Sequence, residues 1–303
     1  MPFEGYFWRI VDPGAGVVVV ALSAACQGPR GPWGLSTLAA HPGHFVRTVV
    51  TETAAADPGG FGVRAENAFA GDAAALSVDL GPDARLDVTL EDVVRWPRRA
   101  FGALGIAHAV PQLSQYWHPV VLAARAHGRV RAGDLALELD GAPAYAEKNW
   151  GRGFPARWWW GHAATFGDDD VSVSFAGGRM PLLGGEIAPT AAVLRLGRRV
   201  IALAPPSART RVALGAGAWR LRTRGRGFDV EILGDAAGGR PHELLVPLPA
   251  AERSELRSHQ HLAGTLSLSV RRGRRLLYAG RSTLAGLEHE APVSDPPRGA
   301  PPA

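Results

Sequence analysis

The chain has 303 residues, 46% of them hydrophobic, enough to bury a real core in one large domain or two ordinary ones. Its formal charge of +5 is modest and scattered, which favours solubility and argues only weakly for nucleic acid or an anionic membrane surface; since aromatics and arginines are not interleaved on one face, no nucleic-acid partner is expected. The lone cysteine, Cys26, excludes an internal disulfide and a Cys-rich zinc site, and the apolar run Val17–Cys26 is too short to span a bilayer.

Glu4 and Asp12 precede that run with only Arg9 positive, so no signal peptide is expected and the protein reads as cytoplasmic. Phe3–Ile10, the turn Asp12-Pro13-Gly14 and Val17–Leu22 predict a hairpin, followed by a Gly- and Pro-rich loop from Gly28 to Gly34. Phe45–Val50 is a further strand. Leu76–Leu80 and Leu86–Leu90 alternate about Gly81-Pro82-Asp83, which places one face on a core and one in water. Arg95–Gln115 has no alternation and reads as a short helix or a cap over one end of a barrel. Val120–Ala124 and Leu135–Leu139 are strands, and Asp140-Gly141 reads as a turn. Beyond the middle, Val171–Phe175 follows the acidic turn Asp168–Asp170. Strand pairs then flank Gly197-Arg198-Arg199, Gly225-Arg226-Gly227 and Arg271–Arg275, arginines that keep turns and edges soluble. The Pro-rich tail reads as disordered. Many short strands with few helices imply an all-β protein of two antiparallel barrels or sandwiches packed together. Residues 1–143 and 144–290 are the expected domains, and 291–303 the tail.

The stretch Ala144–Ala163 concentrates the chemistry. It holds Glu147, Lys148, Asn149, Trp150, Phe154, Trp158, Trp159, Trp160 and His162. Lys148 is the only lysine among 33 cationic residues, so it is either a chance survivor or fills a role closed to a guanidinium. The chain has no Gly-rich phosphate loop and no G-x-S-x-G elbow. His41/His44 and His259/His261 lack the spacing of a helical zinc site, so neither metal nor cofactor is expected. An aromatic-rich site with few ionisable groups suits a large apolar ligand and also carbocation chemistry. A carboxyl buried among aromatics can protonate a substrate at neutral pH, and Glu147 or Glu4 could fill that place. The competing reading is an aromatic core in which Glu147 and Lys148 form a buried ion pair. Strand alternation puts Trp158 and Trp160 on one face and Trp159 on the other, so only one of these sets should meet a ligand.

Tyr145–Pro155, followed by Arg157-Trp158-Trp159-Trp160, resembles the Y-x-E-K-N-W-G-x-x-F-P segment of the tocopherol cyclase family. Phe3–Arg9 is similar to that family's F-E-G-W-Y-F-K opening, and Trp117 stands 30 residues before Glu147 as in the plant enzymes. The resemblance implies paired lipocalin-like β-barrels shared with carotenoid hydratases and natural-product cyclases. It also implies cofactor-free cyclisation of a prenylated hydroquinone to a chromanol. An alkene hydratase and a non-catalytic carrier of an apolar molecule are the alternatives on the same fold. On this basis Glu147 or Glu4 is the expected acid, with Lys148 and Asn149 as polar and electrostatic groups. Tyr6, Trp8, Trp117, Trp150, Phe154, Trp158, Trp160 and His162 are the expected pocket residues. A lipid-like substrate would bring the protein into peripheral contact with a membrane. Two departures are Tyr116, where the plant enzymes carry His, and His162, where they carry Gln.

Overall fold

The computed structural model describes residues 3–97, 102–109, 113, 115–167, 170–182 and 185–290. The first half of the chain forms β1 (Phe3–Asp12), β2 (Val17–Gly28), β3 (Gly31–His41), β4 (Phe45–Thr51), β5 (Ala55–Ala56), β6 (Gly62–Ala65), β7 (Phe69–Asp72), β8 (Ala75–Asp79), β9 (Ala84–Arg95), β10 (Gln115–Ala132) and β11 (Leu135–Gly151). The second half forms β12 (Arg157–Ala163), β13 (Val171–Leu182), β14 (Gly185–Ile187), β15 (Thr190–Leu196), β16 (Arg199–Leu203), β17 (Ala208–Gly215), β18 (Ala218–Gly225), β19 (Phe228–Asp235), β20 (His242–Leu248), β21 (Arg253–Arg272) and β22 (Arg275–Glu290). Among the described residues, helix is limited to two short 3-10 segments, Gly105–Ala109 and Pro249–Ala251. No helix among them is long and apolar enough to cross a membrane.

The strands make two antiparallel sheets, one a half-barrel and the other a nearly closed barrel. In the first, order β4-β3-β2-β1-β11-β10-β9-β8-β7-β6-β5, the opening strand β1 lies against the last strand β11. The second repeats the device: β12 lies between β13 and β22. Neighbouring strands otherwise follow the chain, except that β15 pairs β13 and β21 pairs β19, while β14 and β20 add to β13 and β21 off the main path. Ala144–Gly151 completes β11 of the first sheet and Arg157–Ala163 forms β12 of the second, so the passage between sheets falls within residues 152–156.

Alternation sorts the side chains into separate cores. Tyr6, Trp8 and Ile10 on β1 pack inside the first sheet with Phe69, Leu76 and Leu86. Trp159, Phe175, Trp219 and Leu287 fill the second. Phe7 and Val11, the other face of β1, meet Trp117, Tyr145, Trp160 and Leu262 in a third core between the sheets. Arg9 lies in that layer, fully buried, and donates to the carbonyls of Leu262 (2.9 Å) and Leu284 (2.6 Å) on the opposite sheet. Burial without a carboxylate partner lowers its pKa to about 9.

Three local expectations are corrected. The Gly28–Gly34 segment is a tight hairpin: only Pro29 and Arg30 lie outside β2 and β3. Asp140-Gly141 is no turn but an interior part of β11, where the register with β10 shifts between Ala126 and Gly128 and Gly141 takes φ +72°. β21 and β22 extend well beyond the short strands expected on either side of Arg271–Arg275. Of the Arg95–Gln115 segment, the described part brings Leu104 and Leu113 to a cavity between the sheets. Asp168, Asp169 and the tail lie outside the described residues.

Candidate active site

That cavity measures about 290 Å³. β1 contributes Phe3, Gly5 and Phe7, β10 Trp117, β11 Glu147 and Asn149, and β12 the three tryptophans. Glu288 on β22 and Leu244 on β20 border it from the second sheet. Its surface is mostly apolar, with a few polar groups aimed inward, the usual character of a small-molecule site.

Glu147 is the focus. It is 4% exposed, and its Oε2 accepts three hydrogen bonds: from Tyr145 Oη at 2.6 Å, Trp117 Nε1 at 2.8 Å and Trp160 Nε1 at 2.9 Å. Among the described residues, none donates to Oε1. Burial pushes the carboxyl up to about 7, against the pull of the three donors. The group is therefore poised to hold and release a proton near neutrality. Trp117→Phe removes one donor and should raise the Glu147 pKa by about one pH unit, read from the carboxyl carbon in an NMR titration.

Asn149, two residues on, shares that face. Its Oδ1 is buried without a hydrogen-bond partner. A Cβ on Gly5 would stand 2.5 Å from this oxygen, so glycine at position 5 makes the space it occupies. Trp158, Trp160, Trp117 and Phe154 border the cavity as well. Tyr6 borders it too, but its ring packs against Trp8 and Phe61 in the first sheet's own core and its hydroxyl donates to Glu4 at 2.8 Å.

Five expected site residues lie elsewhere. Lys148 falls on the opposite face of β11 from Glu147, because side chains alternate along a strand. It pairs with Glu4 at 2.7 Å and sits 5.1 Å from the centre of the Tyr6 ring, so the Glu147–Lys148 ion pair does not form. Glu4 is engaged there and does not reach the cavity. Trp8 is core, donating to the Asp72 carbonyl at 3.0 Å. Trp150 stacks on Tyr116 with ring centres 5.2 Å apart, outside the lining. His162 shares the face of Trp158 and Trp160 but lies past the cavity's end, stacked on Tyr145 at 4.0 Å. Burial and the nearby Arg9 charge hold its imidazole well below the usual range, hence neutral.

The tryptophan triplet also departs from simple alternation, since all three rings border the cavity. Trp159 points into the second sheet's core, yet its cross-strand partner is Gly177, where a Cβ would lie 2.3 Å from the indole nitrogen. That bare position opens the ring edge to the cavity, and Nε1 donates to Thr190 at 3.2 Å.

Sequence reasoning missed Glu288. It is half-buried, desolvation raises its pKa, and Trp158 Nε1 donates to it at 2.8 Å. The signal was its strand partner: Glu288 lies opposite Trp160 across the β12–β22 ladder. Cys26, by contrast, is buried and its thiol is pushed up to about 12, which removes it as a nucleophile.

Residues 60–290 match the tocopherol cyclase-like family. The chloroplastic tocopherol cyclase of Zea mays is 29% identical over 100 residues, 31% of this chain and 21% of that protein. A probable chloroplastic tocopherol cyclase of Oryza sativa subsp. japonica is 31% identical over 80 residues, 26% of this chain and 17% of its own. The chain thus spans about a fifth of the length of the curated relatives it matches. Among solved structures, CghA superposes with a TM-score of 0.63 at 11% identity, over 97% of this chain and 89% of CghA, a likeness of fold. With the match covering most of its length, from β6 to the end of β22, the chain belongs to the tocopherol cyclase-like family.

Proposed function

We propose that this protein is a cofactor-free cyclase that closes a prenylated hydroquinone to a chromanol. The observation that carries the reading is Glu147: a buried carboxyl near pKa 7, with one oxygen free, in an aromatic cavity. Protonated Glu147 delivers its proton from Oε1 to the trisubstituted alkene of the prenyl chain. The carbon–carbon π bond breaks, a C–H bond forms and tertiary cationic character develops. The faces of Trp117, Trp158 and Trp160 stabilise that charge, each by roughly 0.5–2 kcal/mol. The Trp and Tyr donors on Oε2 stabilise the carboxylate left behind. The phenol oxygen then captures the cation and the ring closes.

The Asn149 Oδ1, buried and without a partner, is positioned to accept a hydrogen bond from a substrate hydroxyl. Asn149→Leu should raise KM about tenfold, the worth of one such bond, with a smaller change in kcat, measured by steady-state kinetics.

Incubation with a prenylated hydroquinone in deuterated water, followed by mass spectrometry, tests the reading. The expected product is a chromanol of unchanged formula carrying one carbon-bound deuterium. A product heavier by one water would make the protein a hydratase. Substrate bound but recovered unchanged would make it a carrier.

A further inference from the structure

Glu288 occupies in the second sheet the place that Glu147 holds in the first. Each lies near the end of the last strand of its sheet, opposite the first strand: Glu147 across from Phe7, Glu288 across from Trp160. Both border the same cavity, from facing sheets. The two are braced by the same strand, since Trp160 donates to Glu147 and Trp158 to Glu288.

Their hydrogen bonding differs in one respect. All three donors to Glu147 fall on Oε2, which leaves Oε1 to carry a proton. Glu288 accepts on both oxygens: Oε1 from Trp158 Nε1 at 2.8 Å and Ser258 Oγ at 2.9 Å, Oε2 from Gln260 Nε2 at 3.0 Å. Donors on both oxygens favour the carboxylate and oppose the desolvation that raises the group's pKa. Resting on the cyclase reading, we propose that Glu288 is the general base that removes the phenolic proton as the ring closes, so that acid and base reside on separate sheets.

The step balances. Glu147 loses its proton to the alkene carbon. The phenol oxygen forms the C–O bond, its O–H breaks and the proton passes to the Glu288 carboxylate. The enzyme then holds an ionised Glu147 and a protonated Glu288, and exchange with solvent as product leaves restores the starting state. The coupling favours this sequence. The Glu288 charge helps to hold Glu147 protonated at rest, and by reciprocity ionisation of Glu147 raises the proton affinity of Glu288 as the phenol releases its proton.

The test is the deuterated-water assay on wild type, Glu288→Gln, Glu288→Asp and Glu147→Gln. With Glu288→Gln, chromanol formation should fall roughly a hundredfold or more, while deuteration of the alkene carbon in recovered substrate persists. Glu288→Asp should recover part of the ring closure, and Glu147→Gln should lose both readouts. Ring closure by Glu288→Gln at the wild-type rate would overturn the base assignment and leave the cyclase reading standing. Loss of deuteration in Glu288→Gln to the extent seen in Glu147→Gln would also overturn it, since Glu288 would then only position the acid. A wild type that neither deuterates nor cyclises would overturn both. Should Glu288→Gln fail to fold, the wild-type carboxyl NMR decides: a Glu288 carbon in its ionised position at neutral pH supports the assignment, and a protonated one overturns it.

Discussion

Glu147→Gln should lower turnover of a prenylated hydroquinone by roughly 10²–10⁴-fold while leaving the fold intact. The amide oxygen can keep the bonds from Trp117, Tyr145 and Trp160, so packing has no reason to change. An amide has no proton acidic enough for an alkene, and the loss should appear in kcat. In wild type, kcat/KM should fall about tenfold per pH unit above about 7, as Glu147 ionises, and fall again on the acid side as the Glu288 base is protonated. The same variant should alter stability in a defined direction. Glu147 binds its proton more tightly folded, at about 7, than unfolded, at 4.5. Its contribution is therefore fully present below the unfolded value and is lost as pH rises through the folded one. Between about pH 4.5 and 8, wild type should lose about 3 kcal/mol relative to Glu147→Gln, read from denaturant midpoints at the two pH values. A difference that does not move with pH would mean that Glu147 is not a raised, buried acid, and the catalytic assignment would fall with it.

Trp8→Ala should cost about 3–5 kcal/mol of stability, the range for emptying a large aromatic site in a core. Trp8 is 1% exposed, packs against Phe61 and Phe69, and spends its indole N–H on the Asp72 carbonyl. Removing it leaves a cavity and an unbonded carbonyl together. Because the ring lies on the face of β1 away from the substrate cavity, the folded fraction should keep the wild-type KM. Thermal unfolding and steady-state kinetics on one preparation separate the two effects. An increase in KM of tenfold or more with little change in melting would place Trp8 at the substrate after all.

What was legible in the sequence follows from how local each signal is. The β8–β9 hairpin could be read because Leu76, Val78, Leu86 and Val88 are buried in strict alternation, a period that one strand carries by itself. β3 could not, because Gly31-Pro32-Trp33-Gly34 has the composition of a loop. Pairing with Gln27, Cys26 and Ala25 keeps those residues in the ladder. Glu147 and Asn149 were legible through their motif. Lys148 misled because rarity in composition carries no information about which side of a strand a residue occupies. Trp150 and His162 misled likewise: nearness in sequence to Glu147 or Trp160 does not fix where a cavity ends. Glu288 was hidden because a glutamate near a Pro-rich tail looks solvated until the β12–β22 register sets it beside Trp160, and the β21–β22 register sets it beside Gln260.

The pairing of each sheet's first strand with its last has a kinetic side. β1 must wait for β11, and β12 for β22, so each closure that holds Glu147 or Glu288 in place spans about half of the chain. Such long-range closures are slow to form and leave strand edges open meanwhile. On a ribosome, Glu147 would stay in water, an ordinary carboxylate, until residues near 288 had emerged. Its elevated proton affinity comes from burial between the sheets, completed when the second sheet brings Trp160 to it. Acidity at this site is thus a late product of folding, and a chain stalled before β22 would carry the whole of the central motif and remain chemically silent.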